Sequence, residues 1–407
     1  MSTTDPRDRA TASGWHPRRV EFYRHSLTEA DIDAAAGVLR SVFLTTGPRA
    51  ALFEKEFASF LGVQHVVTTS SCTSALFLSL AALGLGPQDE VITTPMTFVA
   101  TANAILQAGA KVRFVDVEPD TGNIDVDQVA AAINLDTRVV LPVHLYGLMA
   151  DVEGLADLCH QRSLIMIEDA AHAAEARREG IRPGQRGQAA CFSFYATKNL
   201  TCGEGGAVAT DDPAMADALR RLRSHGLSKE AANRYTEKYQ HWDMLELGYK
   251  ANLSDIQAAL LVGQLPRLEA QRQRREELAR RYEEAFVELS DVSYPIVPRG
   301  ADSARHLFTI WVPPARRDRT LAELQERGIG IAVNYRAVHL LTYYQRRFGL
   351  PRGSFPNAER IGDSTLTLPL YPSMTDDEQQ QVIDAVRAVV AGWAPSRNVV
   401  AFSGAAG

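Results

Sequence analysis

Cysteine is scarce. The 407-residue chain holds four, Cys72, Cys159, Cys191 and Cys202. Their scatter provides neither the paired spacing of a zinc site nor the density of a small disulfide scaffold, so a reducing cytoplasm is the expected compartment. Long hydrophobic runs are missing too. The longest, around Leu76 to Leu85, is too short to span a bilayer, and the polar first twenty residues lack the apolar core of a signal peptide. No membrane association or export is expected, and both the polar start and the tail after Trp393 read as mobile termini. Positive charge is not in excess either: 43 Lys and Arg stand against 49 Asp and Glu, for a formal charge of -6. With no basic stripe to neutralise a phosphate backbone, nucleic acid is excluded as a main partner. Any phosphate recognition must be local. Internal repeats and low-complexity segments are also absent.

What is present is ordinary globular composition, 45% hydrophobic and 23% charged, in a chain long enough for a large domain plus a smaller one. From His65 to about Thr210, short β-branched runs alternate with helical patterns, which predicts an α/β fold with a mainly parallel sheet flanked by helices. HVVTT, EVITTP, KVRFVDV, RVVLPVH and LIMIED read as strands. Thr73 to Leu83, Ala100 to Ala108, Val126 to Ile133 and Val152 to Gln161 read as helices. ACFSFYAT and GAVAT have only a turn between them, with no room for a crossover helix, so they are expected to be antiparallel neighbours. A charged helical stretch from Ser254 past Glu284, broken or kinked at Pro266, should link the two domains. LFTIWV, a helix near Leu321 to Arg327, IAVNYR, TLTLPL and a closing helix from Asp376 to Ala391 then form a small α+β unit. The division expected is a cofactor-binding domain over 20–265 and a small domain over 266–395.

The chemistry gathers in CFSFYATKNLTCGEGG, residues 191 to 206, where an alternating strand delivers Lys198 into a glycine-rich turn. Alone, this is most often a surface lysine in a hairpin. Upstream, however, LIMIED ends in Asp169, at the carboxyl edge of a parallel strand where open α/β sheets bind ligands. Pyridoxal phosphate asks for a lysine, a carboxylate to keep its ring nitrogen protonated and a phosphate cradle. TTSSCTSAL supplies a cradle candidate, a strand ending at Thr69 followed by a helix whose free N–H groups and hydroxyls face an anion. Simple helix capping explains that segment equally well in isolation. Ser193 adds a hydroxyl nearby.

Taken together, LTTGP, TPMTFVATANAI, EDAAHA, SFYATKN, GEGG and LSDIQAA resemble the DegT/DnrJ/EryC1/StrS family of sugar aminotransferases, fold-type I pyridoxal-phosphate enzymes, over residues 20 to 390. The resemblance implies that Lys198 is the Schiff-base lysine and general acid/base, and that Asp169 pairs with the ring nitrogen. It implies His172 near the ring hydroxyl, Phe98 flat against the ring face, and Cys72, Thr73, Ser74 and Ser193 around the phosphate. Cys72 departs from the glycine of many members. In GYKANLSD, Lys250 stands where many relatives carry asparagine; either it or Asn252 would reach the partner subunit's phosphate in a homodimer with shared active sites. Tyr335, Arg336 and His339, in NYRAVHLL, are substrate-mouth candidates, with a histidine buried under Tyr343 and Tyr344 as the structural alternative.

The function implied is transfer of an amino group from an amino acid, by family habit glutamate, to a nucleotide-linked keto-sugar. The preferred acceptor is the C4 ketone of an NDP-4-keto-6-deoxyhexose, because GYK-x-N and EDAAHA resemble the C4-aminating members. The other readings are a C3 keto-sugar or keto-inositol aminotransferase and, from another class, a non-catalytic cofactor-binding regulatory protein. Lys198 argues against a sugar dehydratase on this fold, in which histidine replaces the lysine.

Overall fold

The computed structural model describes residues 19–228 and 241–393. The polar amino-terminal segment and the tail after Trp393, read above as mobile, lie outside the described residues. The main sheet has seven strands: β1 (His65–Thr69), β2 (Glu90–Thr93), β3 (Lys111–Phe114), β4 (Thr137–Val140), β5 (Ile165–Asp169), β7 (Ala189–Ser193) and β8 (Gly206–Thr210). Their order is β1-β8-β7-β5-β4-β2-β3. The β2/β3, β2/β4, β4/β5 and β5/β7 pairs are parallel. Only β8 runs against the rest, antiparallel to both β1 and β7. The expected hairpin neighbours therefore pair as the short connection requires. A two-residue ribbon, β6 (Arg177–Arg178) with β9 (Ala301–Asp302), lies apart.

Helices cover both faces of the sheet. Among them are α1 (Glu29–Leu39), α2 (Pro48–Leu61), α3 (Cys72–Ala82), α4 (Val99–Gln107), α5 (Val126–Ala132), α6 (Val152–Arg162) and α7 (Pro213–Leu222). On one face Phe53 and Phe57 of α2 pack edge-on against Phe192 and Phe194. On the other, Ala75, Leu76 and Leu78 of α3 close over Val67, Val208 and Cys191. Strands buried on both faces read as continuous β-branched runs, which is why HVVTT and EVIT were legible as strands. The charged stretch divides at Pro266 into α8 (Asp255–Val262), one 3₁₀ turn and α9 (Leu268–Phe286). Leu268 belongs to the sheet's core, whereas Leu278, Ala279, Tyr282 and Phe286 belong to a second core, so α9 is shared between them.

That second core lies under β10 (Phe308–Trp311) and β11 (Thr365–Leu368), an antiparallel pair. Three of the later helices, α10 (Pro314–Glu326), α12 (Pro356–Ser364) and α13 (Asp376–Ala391), surround the pair, with the short α11 (Thr342–Phe348) between α10 and α12 in the chain. IAVNYR is not a strand of this layer. Gly330 pairs its backbone with Val20, leaving Ala332 alone to bond Thr367.

Candidate active site

Parallel topology brings the carboxyl ends of β1, β5 and β7 to one edge of the sheet. The register places Gly206, the first residue of β8, between Thr69 and Ser193. A Cβ at Gly206 would lie 2.4 Å from the Ser71 carbonyl carbon and 2.5 Å from the Cys72 nitrogen. Only glycine lets the β1–α3 turn approach this closely. In that turn Ser71 caps α3 by accepting from the Ser74 N–H at 3.1 Å. The Ser74 hydroxyl lies 3.0 Å from that of Ser71 and 3.1 Å from that of Ser70. Cys72 is buried as the first helical residue and Thr73 is half-buried. Ser193 at the end of β7 accepts from the Tyr195 N–H at 3.3 Å. Hydroxyls and a helix N-terminus thus face one spot, the local chemistry that holds a phosphate.

Asp169 ends β5 and is buried. Its carboxylate accepts from the Thr101 hydroxyl at 2.7 Å and the Ala171 N–H at 3.2 Å. Among the described residues it makes no direct ion pair. Burial raises its pKa, partly offset by the hydrogen bonds and by Lys198. A buried carboxylate held only by neutral donors suits a cationic partner between Asp169 and the open end of the site.

Lys198 follows β7 in a tight turn whose N–H bonds the Tyr195 carbonyl at 2.8 Å. Burial lowers its pKa to about 8, against the opposing pull of Cys72 and Asp169. Its Nζ lies 3.4 Å from His306 Nε2. The His306 ring packs against that of His172, centroids 4.5 Å apart. Both imidazoles are held neutral, pushed well below the usual histidine range chiefly by burial and secondarily by the Lys198 charge. Tyr335 puts its hydroxyl 3.1 Å from His172 Nε2 and stacks near-parallel on that ring. Phe98, at the start of α4, is 55% exposed with its centroid 5.8 Å from Tyr335. Its face is free for a flat ring. A narrow cleft opens beside Lys198, lined also by Arg24, Asn199, His306 and Tyr371.

Of the residues singled out in the sequence, Lys198, Asp169, His172, Phe98, Tyr335, Ser193 and the Cys72–Ser74 turn converge at this sheet edge. Three others do not. Lys250 is exposed and bridges Ser224 by its backbone, while Asn252 donates to the Thr46 hydroxyl at 2.6 Å. His339, a candidate for the substrate mouth, is fully buried. It bonds Glu359 at 3.0 Å and lies edge-on to Phe355, so its place is in the packing and not at the mouth. Sequence reasoning missed His306, Asn199, Thr101 and Tyr146. Tyr146 holds φ at 59° and thereby aims its N–H at His172 Nδ1, 3.2 Å away. Such a strained non-glycine residue at a ligand site is a recognised signal, but one visible only in coordinates.

The family profile described as the DegT/DnrJ/EryC1/StrS aminotransferase family matches residues 25–387. The chain belongs to that family. Among its sequence relatives is the spore coat polysaccharide biosynthesis protein SpsC of Bacillus subtilis. The two are 42% identical over 384 residues, covering 92% of this chain and 99% of SpsC. Among solved structures, DesV of S. venezuelae is 36% identical with a TM-score of 0.85, covering 92% of this chain and 99% of DesV. Helicobacter pylori PseC, an aminotransferase involved in pseudoaminic acid biosynthesis, is 29% identical with a TM-score of 0.87, covering 92% and 100%. The protein is thus a pyridoxal-phosphate-dependent transaminase of the sugar aminotransferase family. Its residues fit that cofactor: a buried lysine of lowered pKa, a buried carboxylate without a direct cation, an exposed aromatic side chain and a hydroxyl-lined helix start.

Proposed function

We propose that this transaminase takes its amino group from glutamate and delivers it to the C4 ketone of a nucleotide-linked 4-keto-6-deoxyhexose. The observation that carries the site assignment is the pairing of Lys198, its pKa lowered to about 8, with the buried Asp169 on one sheet edge. The cofactor supplies the electron sink. Asp169 would face the ring nitrogen and favour its cationic form, which would strengthen that sink. Lys198, its pKa lowered to about 8, would more readily give up and take back a proton than an ordinary lysine, as a general acid and base must. Phe98 would limit ring tilt, and the His172–Tyr335 pair, joined at 3.1 Å, would line the ring's oxygen edge. The Ser71–Ser74 turn and Ser193 would hold the phosphate. The C4 preference is supported by the GYK-x-N and EDAAHA stretches, and a sugar product by the roles named for SpsC and PseC.

The enzyme works as a cytoplasmic homodimer with shared sites. Supporting this, Val42 and Leu44 on one segment and Met244, Leu245 and Leu247 on another are exposed, next to the stretch carrying Lys250 and Asn252. Exposed apolar groups in such numbers mark a surface that another protein covers. No helix among the described residues is long and apolar enough to cross a membrane.

The test is the cofactor's visible absorption. It should fade on adding glutamate and return on adding a nucleotide-linked 4-keto-6-deoxyhexose. Fading without return, with recovery by a C3 keto-sugar or keto-inositol, moves the acceptor. No response to any amino acid defeats the proposal, as does full turnover by Lys198→Ala.

A further inference from the structure

The two adjoining histidines have partners that fix their protons. Asn199 donates through Nδ2 to Glu175 Oε1 at 2.7 Å and to the Ala304 carbonyl at 3.1 Å. Both of these groups are acceptors, so the amide orientation is determined, and Oδ1 is the atom 3.2 Å from His306 Nδ1. An amide oxygen only accepts, hence His306 carries its proton on Nδ1. The ring is neutral, so Nε2 is bare, and it is Nε2 that faces Lys198 Nζ at 3.4 Å. His172 is the opposite case. Its Nδ1 accepts the Tyr146 N–H, which puts the proton on Nε2 toward the Tyr335 hydroxyl.

We infer that Asn199 locks His306 as the Nδ1–H tautomer, making its Nε2 a standing hydrogen-bond acceptor that holds the Lys198 amine, so that His306 is a positioning residue for that lysine. The inference rests on the proposed role of Lys198. With one N–H spent on His306, the amine's remaining hydrogens and its lone pair turn toward the cleft, where a general base is needed. The scaffold behind the lock is rigid. Glu175 is fully buried and pairs with the equally buried Arg275, whose Nε also bonds the Ala304 carbonyl at 3.0 Å. Next in the chain, Arg305 is ion-paired to Glu276 and Glu283, each at 2.8 Å. The charged and titratable groups acting on Lys198 are His306, His172, Asp169 and Cys72; those acting on His306 are Lys198, His172 and Arg275.

An acceptor aimed at an ammonium favours its charged form, so loss of the acceptor lowers the lysine pKa by about one unit, tenfold in the protonation equilibrium. Full-length enzyme loaded with pyridoxamine 5'-phosphate, acylated with acetic anhydride across a pH series and read at Lys198 by peptide mass spectrometry, measures this. The wild-type midpoint serves as the reference. His306→Leu and Asn199→Leu should each lower it about tenfold in protonation equilibrium, and His306→Gln, which keeps an acceptor oxygen, should restore most of the difference. Unshifted midpoints in both leucine variants overturn the inference. Independently of any variant's folding, ¹⁵N-histidine spectra of the wild-type holoenzyme should show His306 protonated on Nδ1 and His172 on Nε2; a proton on His306 Nε2 also overturns it. Undiminished turnover in Lys198→Ala would remove the proposed function and, with it, the purpose of the held amine. Unshifted midpoints in an enzyme that dies on Lys198→Ala would remove this inference alone.

Discussion

Asp169→Asn should make the cofactor-free protein more stable and the loaded enzyme nearly inactive. In the cofactor-free chain the carboxylate sits buried with two neutral donors, Thr101 and Ala171, and no direct cation. Asparagine keeps the shape and one acceptor oxygen, and the Thr101 hydroxyl can turn to the Phe98 carbonyl, 3.2 Å away. Removing the buried charge should therefore gain about 1–2 kcal/mol. The sign with pH follows from the raised pKa of Asp169. A carboxyl raised in the folded state loses stability as pH climbs through that value, so the gain should grow as pH rises and be absent in acid, where the native carboxyl is protonated. Catalysis moves the other way. A carboxylate about 4 Å from a cationic nitrogen is worth about 4 kcal/mol at an effective dielectric near 20, roughly a thousandfold in rate. Thermal melting of stripped and loaded protein, with steady-state turnover, measures both. A variant that melts lower when stripped, or that keeps turnover within about tenfold, refutes the reasoning.

Lys198→Met should also stabilise the cofactor-free chain. Burial depresses the lysine to about 8 from its ordinary 10.5, so the wild type regains stability as pH rises from about 8 toward 10.5, and the variant's advantage, at most about 3 kcal/mol at pH 7, should vanish there. Melting across that range checks it. Gly206→Ala places a Cβ within 2.4 Å of the Ser71 carbonyl; cofactor affinity, read by fluorescence titration, should fall at least about tenfold because the turn must open. His339→Leu removes the bond to Glu359, leaving that carboxylate with the Gly353 and Phe355 N–H groups. Stability should drop by about 1–3 kcal/mol, measured by denaturant unfolding, while turnover stays at the wild-type value.

Much of the fold could be read from residues because its signals are local. The β7–β8 neighbours follow from a connection too short for a crossover, the break between α8 and α9 from Pro266, and the closing helix Asp376–Ala391 from its Thr375 cap and apolar period. Within IAVNYR only Ala332 bridges a strand, through Thr367, a long-range pairing that no local signal announces. Asp169 stood out because it ends a strand, and Lys198 because it follows one into a glycine-rich turn. His306, Asn199 and Thr101 did not, because their meaning comes from neighbours across 108, 24 and 68 positions of chain. His339 looked chemical in sequence and is structural for the same reason: Glu359 was invisible to it.

The sheet order also sets a timetable. β1 lies at the edge, and its one strand neighbour, β8, pairs His65 with Thr210, 145 residues later. During synthesis at about 5–20 residues per second, the first strand waits roughly 7–30 s before its partner is made. The Ser71–Ser74 turn leans on that same partner through Gly206. A nascent chain should therefore acquire its phosphate grip late and all at once, and cofactor capture by stalled chains of increasing length would date the closing of the sheet.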